Sequence, residues 1–290
     1  MTATCTGRAR GEGTVSVIDP LHHGDVLSLT GLSSGDMNYG TASYESLLDG
    51  SGSCVGASYS ALHYILGNDL RVLDGHGIAD VASLWMKQPF MRTPNFNIYG
   101  QIHFDHQRLD DAIGAAELRT DRHLDDWTAS LAGDVRDTLL TGGVNTWSIA
   151  GTAGRVGFDN ANSELADAAT SRPRGKFLLW NAAISRLQRL TQRDSLYLSL
   201  SGQEANANLD PAEKMVAGGA YTVRVYDMGA LSGDTGVLGT AELRHDLLLL
   251  LQGPVQAVAF ADVQRLTINH DVWLAGPNAA TLKVAGVGLT

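Results

Sequence analysis

One short stretch sets the terms for the whole chain. In residues 195–203, Leu196, Leu198 and Leu200 fall on one side of an extended backbone, with Ser195, Tyr197, Ser199, Ser201 and Gln203 on the other. Successive side chains of a strand point to opposite faces, so this stretch is a strand with one apolar and one polar face. Residues 97–107 repeat the pattern, setting Ile98, Gly100, Ile102 and Phe104 against Tyr99, Gln101, His103, Asp105 and Gln107. A helix would space its apolar side chains three and four apart, and no segment of about ten residues carries such a stripe. Two structures are built from strands like these. One is a membrane barrel with lipid outside and a wet lumen within; the other is an antiparallel sheet with one face in water. Alternation alone admits both.

The number and spacing of strands favour the barrel. Residues 7–19 read as a strand stopped by Asp19-Pro20, residues 25–31 as a second, and 37–47 with 54–66 as the arms of a hairpin. The last candidate covers residues 280–289. With about thirteen strands, tight turns alternate with longer polar links such as 160–176, the rhythm of outer-membrane barrels. No repeat, low-complexity tract or shift of composition divides residues 1–290, so a single domain is expected. With 18% charged residues and 7 prolines in 290, the chain is too apolar for a disordered segment. Its longest greasy run, 247–251, is far short of the roughly 18–20 residues of a membrane helix. That excludes helical spans but not a barrel, whose strands need only about 9–11 residues. A net charge of -10 argues against a nucleic-acid-binding surface. The amino end, with Cys5 and Arg8, has no apolar core of a signal peptide. Cys5 and Cys54 are too few for a zinc site and are expected to be unpaired thiols.

Residues 218–247 organise the rest. They start as a glycine-punctuated loop, carry one isolated arginine, Arg224, between Val223 and Val225, and become strand-like from Val237. Three motifs occur in order: Val223-Arg224-Val225-Tyr226, then Gly229 to Ser232-Gly233-Asp234, then Ala241-Glu242-Leu243-Arg244. This segment resembles the conserved loop and following strand of the two-partner secretion transporters, the haemolysin secretion/activation family. Asp19-Pro20-Leu21, the strand from Gly24-Asp25, residues 57–62 and residues 196–203 look like further barrel segments of that family.

The resemblance implies an all-β fold, a transmembrane antiparallel β-barrel of which this chain supplies about thirteen of sixteen strands, with the loop 216–236 inserted in the lumen. On that resemblance the family's periplasmic POTRA domains, plug helix and first strand are expected to be missing upstream of this stretch, and the last two of the sixteen strands after Thr290. The implied function is an outer-membrane pore that passes an unfolded exoprotein of haemolysin or adhesin type to the cell surface. Its partners would be that secreted passenger and the membrane lipid, with no cofactor and no bond-making step. A passive porin, an autotransporter barrel, an inactive remnant and a soluble β-sandwich module are the alternatives.

Arg224 must meet an anion if it leaves water. The resemblance supplies one: a wall motif, here Phe260-Ala261-Asp262, whose aspartate receives the loop arginine. Period two puts Gln256, Phe260, Asp262 and Gln264 on one face, so Asp262 points where Arg224 can reach it. A guanidinium suits the contact because its planar fork engages both carboxylate oxygens. Two positions depart from the family pattern: Val225 stands where a small residue is usual, and Gln264 replaces a glycine. The candidate site is therefore Val223, Arg224, Tyr226, Gly233 and Asp234 in the loop, with Phe260 and Asp262 on the wall.

Other motifs carry less. Gly31-Leu-Ser33-Ser-Gly35 matches a nucleophile elbow, but that motif needs a helix after it and residues 37–47 read as strand. His22, His23, His103, Asp105 and His106 do not close a metal site. Trp85, Trp127, Trp147, Trp180 and Trp273 suit an interfacial aromatic girdle or ordinary packing equally.

Overall fold

Every stretch of alternation becomes a strand. The structure, a computed structural model, describes residues 10–65, 74–116, 118–247 and 255–290. Cys5, the rest of the amino end and Leu248 to Leu251 of the leucine run lie outside the described residues. The strands are β1 (Arg10–Ile18), β2 (Val26–Ser34), β3 (Met37–Leu47), β4 (Cys54–Ile65), β5 (Gly75–Arg92), β6 (Phe96–Ile113), β7 (Leu118–Asp137) and β8 (Gly143–Phe158). They continue as β9 (Gly175–Arg189), β10 (Asp194–Ala205), β11 (Met215–Ala217), β12 (Leu231–Gly233), β13 (Thr235–Asp246), β14 (Gln256–Thr267) and β15 (Ala279–Leu289).

Thirteen strands form one sheet in chain order, from β1 to β10 and then β13 to β15, while β11 and β12 pair only with each other. Every ladder whose register is described is antiparallel. The expected hairpin arms fall at β3 and β4. The two additional strands are three residues long, too short to show a period.

The chain folds as two compact units. The first comprises Met1–Pro89, Gln101–Ala129 and Thr152–Phe177. Its buried apolar side chains include Leu124, Val156 and Phe177. On its polar face, Glu45 Oε2 accepts from both Trp85 Nε1 and Lys87 Nζ, each at 2.7 Å. Trp85 is thus held on the polar wall and is not part of an outer girdle. Trp127 belongs to the opposite face, 59% exposed, its ring centroid 4.9 Å from that of Phe104. The polar link after β8 contains a helix the periodicity did not reveal, α1 (Ala161–Ala168). Its eight residues are too few for a visible stripe. Asn160 caps it by accepting from the Ser163 N–H at 2.8 Å and ties it to β7 by donating to Asp121 Oδ2, also at 2.8 Å.

The second unit comprises Phe90–Gly100, Ser130–Gly151 and Leu178–Thr290. Its register sets the two faces. Across β10, β13, β14 and β15, Leu198, Ala241, Ala261 and Ala285 stand in one row, and Leu200, Gly239, Val263 and Lys283 in another. Leu198, Leu200, Ile184, Val237, Leu243 and Val263 are all about half exposed on that face. Left in water, each would forgo on the order of 1 kcal/mol of burial, and such a broad apolar surface marks a face built to be covered. The alternate rows carry Tyr197, Glu242 and Phe260, then Ser199, Thr240 and Asp262. The face of these alternate rows carries the long link between β10 and β13.

Candidate functional site

The loop between β11 and β12 is closed at its base by their short ladder, which pairs Met215 with Gly233 and Ala217 with Leu231. Above that pinch the backbone turns back three times: Gly219 N–H donates to Tyr226 O at 3.0 Å, Thr222 N–H to Gly219 O at 3.2 Å, and Ala230 N–H to Asp227 O at 3.1 Å. Gly218 starts the turn at φ +92°, where a Cβ would lie 2.1 Å from Asp227 O, so no other residue fits. Gly233 closes it in a similar squeeze, its Cβ position 2.5 Å from Thr267 O.

Asp234 anchors the base. Its side chain is fully buried and accepts from the backbone N–H of Leu209 at 3.1 Å and of His270 at 2.8 Å. The Lys214 ammonium lies 2.7 Å away and also donates to Ile268 O at 2.9 Å. One carboxylate thus joins the link before the loop, the start of β13 and the connection after β14.

Arg224 holds the tip. Its Nε donates to Asp262 Oδ2 at 2.7 Å and its Nη2 to Asp262 Oδ1 at 2.6 Å, a bidentate fork. Its backbone N–H lies 3.3 Å from the same carboxylate. Nη1 donates to Glu242 Oε1 at 2.6 Å, and the guanidinium carbon sits 3.7 Å from the centroid of the Phe260 ring. The other oxygen of Glu242 accepts from Arg244 Nη2 at 2.6 Å, and Arg244 lies 5.0 Å above the Tyr197 ring. Two guanidiniums against two carboxylates make a neutral group, so the burial of Asp262 is compensated. The hydrogen bonds to Asp262 hold the Arg224 pKa above its ordinary value although burial opposes them, and the arginine stays charged.

The remaining expected residues are placed as follows. Val223 is fully buried beside the arginine, and Tyr226 donates from its hydroxyl to Lys283 O at 3.4 Å. Val225 takes φ +78° and is 82% exposed. Gln264 is 1% exposed and donates to Val216 O at 3.1 Å, tying β14 to β11. Sequence reasoning did not single out Glu242, Arg244 or Lys214 as site residues. For the first two a signal was present, because period two in Ala241-Glu242-Leu243-Arg244 puts both on one face. Lys214 had none, lying in an irregular link.

The lesser motifs separate from this site. Ser33 sits in β2 and donates to Asn38 Oδ1 at 2.7 Å across a hairpin, with strand on both sides of the turn. His103 lies 3.2 Å from Asp105 and His106 2.6 Å from Asp125; among the described residues no group of three or more His, Cys, Asp or Glu is arranged to hold a metal.

A family model described as haemolysin secretion/activation protein ShlB/FhaC/HecB matches residues 3–288. Among curated proteins, the chain is 28% identical to the heme/hemopexin transporter protein HuxB of Haemophilus influenzae over 290 residues, covering 98% of this chain and 51% of that protein. The chain thus spans about half the length of the curated relatives it matches. Among solved structures it is similar to CdiB from Escherichia coli, with a TM-score of 0.77 and 22% identity over 98% of this chain and 53% of that one. It is also similar to BamA from Haemophilus ducreyi lacking POTRA domains 1–3, with a TM-score of 0.66 and 15% identity over 97% and 60% of the two chains. At these identities the structural likeness speaks for the fold alone, an antiparallel β-barrel.

Proposed function

The chain belongs to the haemolysin secretion/activation family, and on that premise we propose that it is the pore-forming part of a two-partner secretion transporter. The passenger is an unfolded exoprotein of haemolysin or adhesin type, carried through the barrel to the cell surface. The observation that carries the reading is the seat of Arg224: a loop folded onto the polar wall and held there by Asp262, Glu242 and the Phe260 ring.

A loop in that place occupies space a passing chain needs. Its hold is electrostatic and local, made by a few side chains at the tip, so the loop can leave the wall without unravelling the strands beneath it. The separate anchor at Asp234 keeps the base in place while the tip moves. The wall itself offers Tyr197, Ser199 and Ser201, which give a moving backbone transient hydrogen bonds and no deep site to stall in. Lipid covers the opposite face.

The test compares secretion of the passenger by the full-length wild type with secretion by Arg224→Ala and Asp262→Ala. Heat-modifiable gel mobility follows barrel insertion in parallel. Variants that insert but secrete poorly support the lock. Variants that insert and secrete normally remove the site assignment, and a barrel that passes small solutes but no passenger points to a passive porin.

A further inference from the structure

We infer that Val225 is a positioning residue that keeps the Arg224 seat weak enough to release. The inference rests on the loop acting as a lumen lock. Among the described residues, the non-glycine residues at positive φ are Asp19, His22, Asp74, Leu140, Arg172 and Val225. Val225 is the one with a β-branched side chain. Branching at Cβ makes the left-handed region most costly, since the extra methyl crowds the neighbouring carbonyl.

Some of the others have local compensation. Asp19, for example, accepts from the Gly24 N–H at 2.8 Å with its own side chain. Val225 has none of its own: its isopropyl group is 82% exposed and buries little. The conformation is imposed from both sides. Arg224 is fixed to Asp262 on one side, and on the other Tyr226 O must accept from the Gly219 N–H. The chain reverses between these two fixed points, and Val225 takes up the turn.

Seated, the loop therefore combines strong contacts at Arg224 with an unfavourable backbone one residue later. Once Arg224 leaves the wall, Val225 relaxes to negative φ. The strain raises the released population relative to a loop with an unstrained residue there, and so sets how readily the lock opens.

The Arg224–Val225 peptide bond provides the readout, because trypsin cuts after Arg224 only when its side chain has left Asp262. Full-length protein in proteoliposomes is treated with trypsin, and cleavage at this bond is followed by mass spectrometry. The rate is normalised to the same bond in the urea-unfolded variant, which removes the effect of the neighbouring residue on the protease. With reclosing fast relative to cleavage, the rate tracks the released population.

Val225→Asn, which tolerates the left-handed region, is expected to slow cleavage about tenfold. Val225→Gly slows it less than Asn, because glycine also gains freedom in the released loop. Val225→Ile leaves it near wild type, and Asp262→Ala speeds it. Wild-type rates in both the Asn and Gly variants, with Asp262→Ala still faster, overturn the role of Val225 while leaving the lock intact. An unchanged rate in Asp262→Ala overturns the seat itself, and the inference with it.

Discussion

Lys214 and Asp234 form an ion pair of 2.7 Å between side chains that solvent barely reaches, the carboxylate at 0% exposure and the lysine at 9%. The pair is separate in position and in partners from the Arg224 seat, so the loop is tied twice, at base and tip. Asp234→Ala would leave the buried ammonium without a counter-charge, with only the neutral oxygens of Ile268 and Asn269 near it, and strip the Leu209 and His270 N–H groups of their acceptor. Breaking a buried pair of this kind costs about 3–5 kcal/mol. The expected outcome is faster hydrogen exchange confined to residues 206–216 and 268–271. Heat-modifiable mobility of the barrel should be unchanged, since the strand ladders are not involved.

Asp262 and Glu242 share Arg224, so their contributions should not add. Asp262→Asn and Glu242→Gln keep shape and remove charge, and the double variant should lose less than the sum of the singles. A coupling of about 0.5–3 kcal/mol is expected for residues on one common partner. Tryptic release of the loop, measured across the four proteins, gives the cycle. Strict additivity would mean that the two carboxylates hold different groups. Arg224→Lys belongs in the same series: an ammonium cannot fork onto both oxygens of Asp262, so tryptic release should approach that of Asp262→Ala.

Much of the fold was legible because a strand writes its two faces into the sequence. Leu196, Leu198 and Leu200 gave the apolar side of β10, and the same count put Phe260 and Asp262 together on β14. That Arg224 meets Asp262 was implied by the family resemblance, and period two only added that Asp262 shares a face with Phe260. What stayed hidden depends on contacts between segments with no shared period. Lys214 reaches Asp234 from an irregular link, α1 is tied to β7 through Asn160 and Ser163, and Trp85 turned inward because Glu45 was there to accept its N–H. The sequence showed Val225 to be unusual, but only the turn forced by Gly219 and Tyr226 shows why it matters.

The link between β1 and β2 should respond to acid. Burial disfavours the Asp25 carboxylate, but hydrogen bonds from the His23 N–H, the Tyr44 hydroxyl and the Leu21 N–H outweigh it and hold its pKa below the ordinary 3.8. A carboxylate depressed in the folded state adds stability that is complete above its unfolded value and lost as pH falls through the folded one. Protection of the Leu21 and His23 amides should therefore persist on going down from about pH 5 and fail only below the ordinary carboxylate range. Tyr44→Phe, lacking one donor, should move that loss to higher pH. Identical profiles for wild type and variant would show that the tyrosine does not hold the carboxylate.

The sharpest check on the membrane face uses two adjacent residues of β10. Leu200 is 52% exposed in the row of Gly239 and Val263, whose one charged member is Lys283 on β15, and Ser201 lies next to it on the face that carries the loop. Arginine on the lipid side of a barrel strand costs about 2–4 kcal/mol near the bilayer midplane, whereas the lumen side tolerates charge. Leu200→Arg should reduce insertion into the outer membrane and weaken heat-modifiable mobility. Ser201→Arg should insert as wild type and alter only transport. A sheet with its apolar face buried against other protein and its polar face in water would also suffer from Leu200→Arg, but would be extracted without detergent in wild-type form. Detergent-dependent extraction together with the asymmetry between positions 200 and 201 is therefore the result that fits lipid on the leucine side and a wet lumen on the serine side.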